Sequence, residues 1–273
     1  MNETVWNTVA RFHVRLCQAA AAGFVSLAIW LPAGHAAEAP LTPVIVELFT
    51  SQGCSSCPPA DAILRSFERN QPVADVVIVP LSEHVDYWNR LGWRDPFSSP
   101  RFSARQRAYG AALDLPGLYT PMMVVDGRTV LVGSDRDSAQ RAIEEAGAHP
   151  KTPVHLDVDT SETSRVIDVA MSVGEPVPNR GRAVEIWLAV TEAGLVTDVM
   201  AGENIFRRLR HTGVVRHLER VATMAFADPL PTAPITRRVQ LDDAWDRSRL
   251  RVVVFLQDSA TSAIVGAAAT VVR

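Results

Sequence analysis

The sequence predicts an α/β domain over residues 40–150, followed by a mostly antiparallel, sandwich-like β domain over residues 152–273. Two patterns support this division. In the first part, a β-branched apolar run at 44–49 leads into two cysteines and then into helical spacing, which is the strand–turn–helix order of an α/β fold. In the second part, residues 154–159 alternate strictly between apolar and polar, and proline-rich breaks separate further β-rich runs.

The elements of the first domain follow one another along the chain. The first helix begins near Cys57, because Pro58 and Pro59 fit a first turn whose N–H groups have no intrahelical partner. Asp126-Gly127 is a typical hairpin turn. The other predicted elements are a buried strand at 76–79, a polar and aromatic loop at 82–98, a helix at 99–113, strands at 122–125 and 129–132, and a helix at 134–147 that opens with a capping box at Ser134 and Asp137.

The second domain contains few helical signals. One short helix is predicted at 204–210. The predicted strands lie at 154–159, 166–173, 184–190, 236–241, 250–256 and 263–272.

The first 36 residues have the pattern of a secretory signal peptide. Basic residues precede an apolar run from Leu16 to Leu31, and Gly34 and Ala36 place small side chains at a cleavage site. The alternative is an uncleaved membrane anchor, but the run is shorter than the roughly 20 residues of a spanning helix. We therefore expect a periplasmic or secreted protein with no membrane span after cleavage.

Charge argues against nucleic acid as a partner. The formal net charge is −3, and no run of basic residues stands out. The sequence predicts no cofactor.

Two cysteines carry the chemistry of the exported chain. Of three cysteines, Cys17 lies in the predicted signal, which leaves Cys54 and Cys57 as a Cys-Ser-Ser-Cys pair. In an oxidising compartment such a pair is a redox-active dithiol, a structural bridge or half of a metal site. At a helix N-terminus, unpaired N–H groups would favour the Cys54 thiolate as the attacking nucleophile. Cys57, one turn into the helix, would resolve the mixed disulfide.

The two other readings of the pair stay open. A bridge that closes so short a loop would constrain the unfolded chain little, which argues against a structural staple. Zinc would need two more ligands, and the histidines show no ligand pattern. Copper(I) prefers soft ligands, and Cys54, Cys57, His84 and the Met122–Met123 pair could converge on it.

The order strand, Cys-x-x-Cys, helix, strand, helix, Thr-Pro, hairpin, helix resembles the thioredoxin fold. The resemblance implies that Thr120-Pro121 is the cis-proline that presents Thr120 and its backbone to substrate, with Pro121 orienting it. It makes residues 82–113 an inserted loop and helix. It also implies that Glu47, an acid on the first strand, relays a proton for the resolving cysteine; the alternative is that Glu47 faces solvent at an edge.

An aromatic loop follows the second strand. His84, Tyr87, Trp88 and Trp93 would emerge at the same end of the sheet as the dithiol, where open α/β sheets bind ligands. They could form a peptide-binding rim, or they could pack a loop that anchors the inserted helix.

Residues 47–61, with the motif T-S-Q-G-C-S-S-C-P-P, resemble the opening of an uncharacterised family of secreted thioredoxin-like proteins, a domain of unknown function. The segments at 84–88, 91–93, 95–97, 105–109, 119–121, 202–204 and 214–216 are similar to its other signatures. The predicted function is thiol–disulfide exchange on protein or peptide thiols and disulfides, with a possible redox partner protein. The alternative is a periplasmic copper-binding protein, or an interaction protein with a structural or vestigial disulfide.

Overall fold

The computed structural model describes residues 41–160, 164–175, 183–225 and 233–272. The predicted signal peptide and Cys17 lie outside these ranges. The described helices are α1 Pro58–Asn70, α2 Pro100–Ala112 and α3 Arg136–Gly147. The strands are β1 Thr42–Thr50, β2 Val76–His84, β3 Met122–Val125, β4 Thr129–Val132, β5 Val154–Asp159, β6 Val166–Val173, β7 Ala183–Glu192, β8 Leu195–Asp198, β9 Arg208–His211, β10 Val214–Ala225, β11 Ile235–Gln240, β12 Leu250–Asp258 and β13 Ile264–Val271.

One eight-stranded mixed sheet organises the molecule, in the order β13-β12-β7-β10-β2-β1-β3-β4. The α/β class with antiparallel strands is confirmed. β1 and β2 are parallel, whereas β7, β10, β12 and β13 pair antiparallel. The two parts of the sheet join where β10 meets β2, and the N–H of Ser82 donates to the carbonyl of Gly213 at 2.7 Å. The sheet thus continues across the predicted boundary near residue 150, and the division into two domains stays a prediction.

The side-chain alternation of β1 assigns each face of the sheet to different helices. Val44, Val46 and Leu48 pack in one cluster with residues of α1 and α3. The intervening residues point to the opposite face, where Ile45 and Phe49 pack with residues of α2. All these apolar side chains are buried, as expected of a central strand with both faces covered.

A smaller sheet covers the antiparallel part of the large one. Strands β11, β6 and β5 form it, and the inward residues Ile167, Val169 and Met171 of β6 join a cluster with residues of β7 and β12. Asp168 points outward between them and pairs with Arg238. This alternation produces two packed layers.

Three details of the sequence prediction are wrong. Residues 204–210 form no helix: backbone φ is positive at Gly202 and Phe206, and β9 follows with alternating burial. The longest strand, β10, was not predicted, nor was β8. The N-cap of α3 is Asp135, whose carboxylate accepts from the N–H of Ser138.

Candidate active site

The two cysteines form a disulfide where β1 turns into α1. Their Cα atoms lie 5.5 Å apart, and Cys57 is the N-cap residue of α1 with Pro58 in its first turn. Both cysteines have zero relative exposure, whereas Ser55 and Ser56 between them are exposed. The serine pair is therefore the part of the motif that a partner meets first.

The start of α1 offers fewer backbone donors than the sequence predicts. Pro58 and Pro59 have no N–H, and the N–H groups of Ala60 and Asp61 both donate to the carbonyl of Cys57. The N–H of Cys57 is also engaged, with the carbonyl of Cys54 at 3.2 Å. The helix dipole still acts on the bridge, but direct stabilisation of a thiolate has to come from other groups.

One such donor, the Ser56 hydroxyl, lies beside the sulfur of Cys54. Its Sγ is 3.3 Å from the hydroxyl of Ser56 and 3.8 Å from the carbonyl oxygen of Thr120. The Thr120-Pro121 peptide bond is cis. This arrangement puts the predicted Thr120-Pro121 segment directly beside the bridge, with the Thr120 hydroxyl held by the indole N–H of Trp88 at 2.8 Å.

A segment from the second half of the chain covers the motif. The side-chain amide of Asn204 donates to the carbonyl oxygens of Cys54 at 2.8 Å and Gln52 at 3.0 Å. The carboxylate of Glu203 accepts from the N–H of Ser55 at 3.0 Å, and hydrogen bonds with the side chain and then the backbone of Ser55 lower the pKa of Glu203. Segment 199–207 is thus part of the site, although the sequence analysis noted only that residues 202–204 are similar to a family signature.

A buried ion pair stabilises the turn between β1 and α1. The ring Nδ1 of His84 lies 2.7 Å from the carboxylate of Asp95, and both side chains are inaccessible to solvent. Asp95 also accepts from the N–H groups of Gln52 and Phe97, at 2.8 and 2.9 Å. Burial by itself would lower the pKa of His84, but the Asp95 carboxylate outweighs it and the pKa is raised. Burial would raise the pKa of Asp95, and the His84 charge together with these hydrogen bonds lowers it instead.

A second buried acid–histidine pair lies beside the first. The ring of His211, from β9, is 4.8 Å from that of His84, and its Nδ1 is 3.6 Å from the carboxylate of Asp61. Asp61 lies one turn after Cys57 on α1, so the two side chains share a helix face. The sequence analysis missed both residues. The spacing of four from Cys57 could have indicated Asp61, whereas no local signal indicates His211.

Glu47 lies on the other face of the sheet from α1. Its carboxylate pairs with Arg105, whose Nη2 donates at 3.0 Å, and accepts from the hydroxyl of Tyr109. The neighbouring Glu83 is 3.4 Å from Arg105, and burial next to Glu47 raises its pKa well above the usual value. Burial likewise raises the pKa of Tyr109. The structure thus places Glu47 in an ion-pair network with α2, and the solvent-facing alternative is wrong because the side chain is buried.

Of the predicted aromatic residues, His84 is the fully buried last residue of β2 and not part of the loop, whereas Tyr87, Trp88 and Trp93 are half-buried and direct their polar atoms inward. Besides the bond from Trp88 to Thr120, Trp93 donates to the side-chain oxygen of Gln52 at 3.0 Å, and Tyr87 donates to Gln106 of α2 at 3.2 Å. These contacts connect the loop to α2 and to the motif.

The soft ligands considered for copper are not brought together. Met122 packs with Phe49 and Tyr109, whereas Met123 lies in the cluster under α1 and α3, because neighbouring strand residues point to opposite faces. Within the described ranges, no group of three or more His, Cys, Asp or Glu side chains is arranged to hold a metal ion. Of the helices described, none is both long and apolar enough to cross a membrane.

Comparison with known proteins establishes the family. The X-ray crystal structure of protein AGR_C_4864 from Agrobacterium tumefaciens is similar at 27% identity and a TM-score of 0.62, over 85% of this chain and 96% of that one. HBP35 of Porphyromonas gingivalis shares the fold at 14% identity and a TM-score of 0.56, over 85% of this chain and 76% of that one. No curated protein matches. A family model described as a protein of unknown function (DUF1223) matches residues 45–257, and the chain belongs to that family.

Proposed function

We propose that this protein is an exported thiol–disulfide oxidoreductase whose first half is thioredoxin-like. The observation that carries the proposal is the Cys54–Cys57 disulfide at a strand-to-helix turn, next to the cis Thr120-Pro121 peptide bond. Pro121 has no N–H group, and the Thr120 carbonyl lies beside the sulfur, where it can meet an extended substrate. The protein and peptide thiols and disulfides expected from the sequence are its proposed substrates, and a redox partner protein would reset it.

The proposed exchange transfers two electrons in two displacements. The Cys54 thiolate attacks a substrate disulfide, so that a mixed disulfide forms and one substrate thiolate leaves. The Cys57 thiolate then attacks the Cys54 sulfur, which closes the protein bridge and releases the second substrate thiolate. The dithiol is oxidised and the substrate is reduced to two thiols; the reverse sequence oxidises a substrate dithiol.

Asp61 with His211 is better placed than Glu47 to accept the proton of the Cys57 thiol. Asp61 shares a helix face with Cys57, whereas Glu47 points to the opposite face of the sheet. The other ionisable groups that act on Asp61 are Arg65, one turn further along α1, and His84. We therefore assign no proton transfer to Glu47.

Asp61→Asn is expected to slow resolution of the mixed disulfide by about 100-fold at neutral pH, because the amide cannot act as a base. The effect should shrink as the pH rises above about 8.5, where free thiols ionise unaided. Stopped-flow measurement of substrate thiol release at several pH values tests this, with exposed Asp137→Asn on α3 as the control. A loss that is the same at every pH would contradict the role of Asp61.

One observation favours a second candidate function, an interaction protein with a structural disulfide. Both cysteines are completely buried in the bridged form. Burial protects a bridge from attack, and structural disulfides resist reduction.

Redox titration decides between the two candidates. Metal-free protein is equilibrated in graded thiol buffers, and free thiols are counted by mass tagging. We expect a reversible couple between about −120 and −270 mV, the range of exchange proteins. A bridge that stays closed below about −300 mV would contradict the oxidoreductase and support the structural bridge.

A further inference from the structure

Exposed apolar side chains concentrate around the disulfide. Ten large apolar side chains are exposed in the described part of the chain, and six of them belong to three loops near the motif. Phe206 is the most exposed of all, at 82%. The six are Leu91, Leu118, Tyr119, Met200, Ile205 and Phe206, and we call them the apolar rim.

Direct contacts bring these loops to the two serines of the motif. Glu203 holds the N–H of Ser55, and on the other side the hydroxyl of Ser56 donates to the carbonyl of Thr120 at 3.4 Å. The loop that carries Leu91 packs on segment 199–207, because a Cβ at Gly202 would lie 3.1 Å from Cβ of Trp93. The exposed serines therefore contact Thr120, which follows Tyr119, on one side and Glu203 of segment 199–207 on the other.

The charges next to the apolar rim are mainly positive. Four arginines that flank Leu91 and Phe206 in sequence are exposed: Arg90, Arg94, Arg207 and Arg208. The contact of Arg208 with Asp198 is 3.8 Å long between side chains that are about two-thirds exposed, so water screens it. The exposed acids nearby are Asp198, Asp114 and Glu203, of which Glu203 accepts the N–H of Ser55, and the four arginines outnumber them.

We propose that the apolar rim and its arginines dock an extended polypeptide in which apolar and acidic residues flank a cysteine or a disulfide. This inference rests on the proposed oxidoreductase function and names its substrate class. Exposed Phe206 and Tyr119 supply apolar anchors on both sides of the serines, and the arginines favour acidic residues by charge complementarity. Neutral small disulfides make neither contact and gain nothing from the rim.

Two synthetic peptides test the docking. Both carry a cysteine between phenylalanine and leucine, flanked by glutamates in one and by lysines in the other. Fluorescence anisotropy of labelled versions with serine in place of cysteine measures binding without any chemistry. We expect the acidic peptide to bind at least about tenfold more tightly, a difference of about 1.4 kcal/mol.

Variants locate the binding surface. Asparagine adopts the positive φ of 65° at position 206 readily, so Phe206→Asn removes the aromatic ring without straining the backbone. This variant should weaken binding of the acidic peptide about tenfold. Arg94→Glu with Arg208→Glu, which leaves the Arg207–Asn204 hydrogen bond in place, should reverse the preference between the peptides. Leu41→Asn is the matched control, since Leu41 is 54% exposed but precedes β1 at the end opposite the motif.

Reduction of hydroxyethyl disulfide by the dithiol form separates the two levels of the proposal. The control variant Leu41→Asn should leave this rate unchanged. No reduction by the unmodified protein would overturn the oxidoreductase, whereas equal binding of the acidic and basic peptides would overturn the docking. Binding to phosphatidylcholine–phosphatidylglycerol vesicles that Phe206→Asn abolishes, without binding of the acidic peptide, would overturn it in favour of a membrane surface.

Discussion

Cys54→Ser is expected to abolish disulfide exchange, lowering the second-order rate constant by on the order of a thousandfold or more. A serine hydroxyl is not ionised at neutral pH and cannot form a mixed disulfide. The Ser56 hydroxyl and the Thr120 carbonyl would remain in place, so the loss would come from the nucleophile itself. Stopped-flow reduction of a cysteine peptide disulfide measures the effect.

Cys57→Ser is the matched variant, and in this protein the reaction should stop one step later, at the mixed disulfide. Cys54 would still attack, but no second thiol would release it, so the mixed disulfide should accumulate and appear in the intact-protein mass. The unfolding midpoint of each variant should match that of the reduced unmodified protein, which excludes misfolding. Adducts on Cys57 in the Cys54→Ser protein, and none on Cys54 in the Cys57→Ser protein, would reverse the assigned roles.

Asp95→Asn is expected to lower the free energy of unfolding by about 3–5 kcal/mol, the usual cost of breaking a buried charge pair. Asp95 partners His84 and accepts two backbone N–H groups, including that of Gln52 just before the motif. An amide has one acceptor oxygen, so at least one of these buried groups would lose its partner. Urea unfolding of the reduced protein measures the loss.

The loss should depend on pH in a defined direction. Because the folded pKa of His84 is raised, its contribution to stability is complete below the unfolded value of about 6.5 and is lost as the pH rises through the folded value. Because the folded pKa of Asp95 is lowered, its contribution is present above about 3.9 and is lost as the pH falls through the folded value. The effect of Asp95→Asn should therefore be largest between about pH 4 and 6.5.

Asp168→Asn provides the control for this prediction. It breaks an ion pair with Arg238 in which both side chains are more than half exposed, so little change in stability is expected at any pH. An Asp95→Asn effect as small as that of the control, or one that grows at alkaline pH, would contradict the stabilising role of the His84–Asp95 pair.

Local sequence determined the elements that surround the cysteines. The β-branched run of β1, the prolines at the start of α1 and the Asp-Gly turn between β3 and β4 act over a few residues, and the structure confirms the elements they predict. The same local signals identified the Cys54–Cys57 pair and the family. The capping error at Ser134 is also local, because Asp135 next to it caps the helix one residue later and accepts from the N–H of Ser138.

Strand β10 shows where local signals end. Its register against β7 shifts between Val215 and His217 and again between Arg220 and Ala222. These irregularities break the alternation by which a strand is recognised, so the sequence pattern did not reveal the element that joins the two parts of the sheet. The pairing of β10 with β2 depends on residues far apart in the chain, and only the folded chain brings them together.

Site residues that local patterns indicate differ in the same way from those that only long-range contacts bring to the motif. The motif and the order of elements predict that Cys54 and Cys57 lie at a strand-to-helix turn and that Thr120-Pro121 lies near them. The partners Glu203, Asn204 and His211 reach the motif across about 150 residues of sequence. The face on which Glu47 lies was decided by which helix packs on each side of β1. Sequence alone therefore determined the cysteine pair and its turn, and tertiary packing decided which charges and apolar side chains surround it.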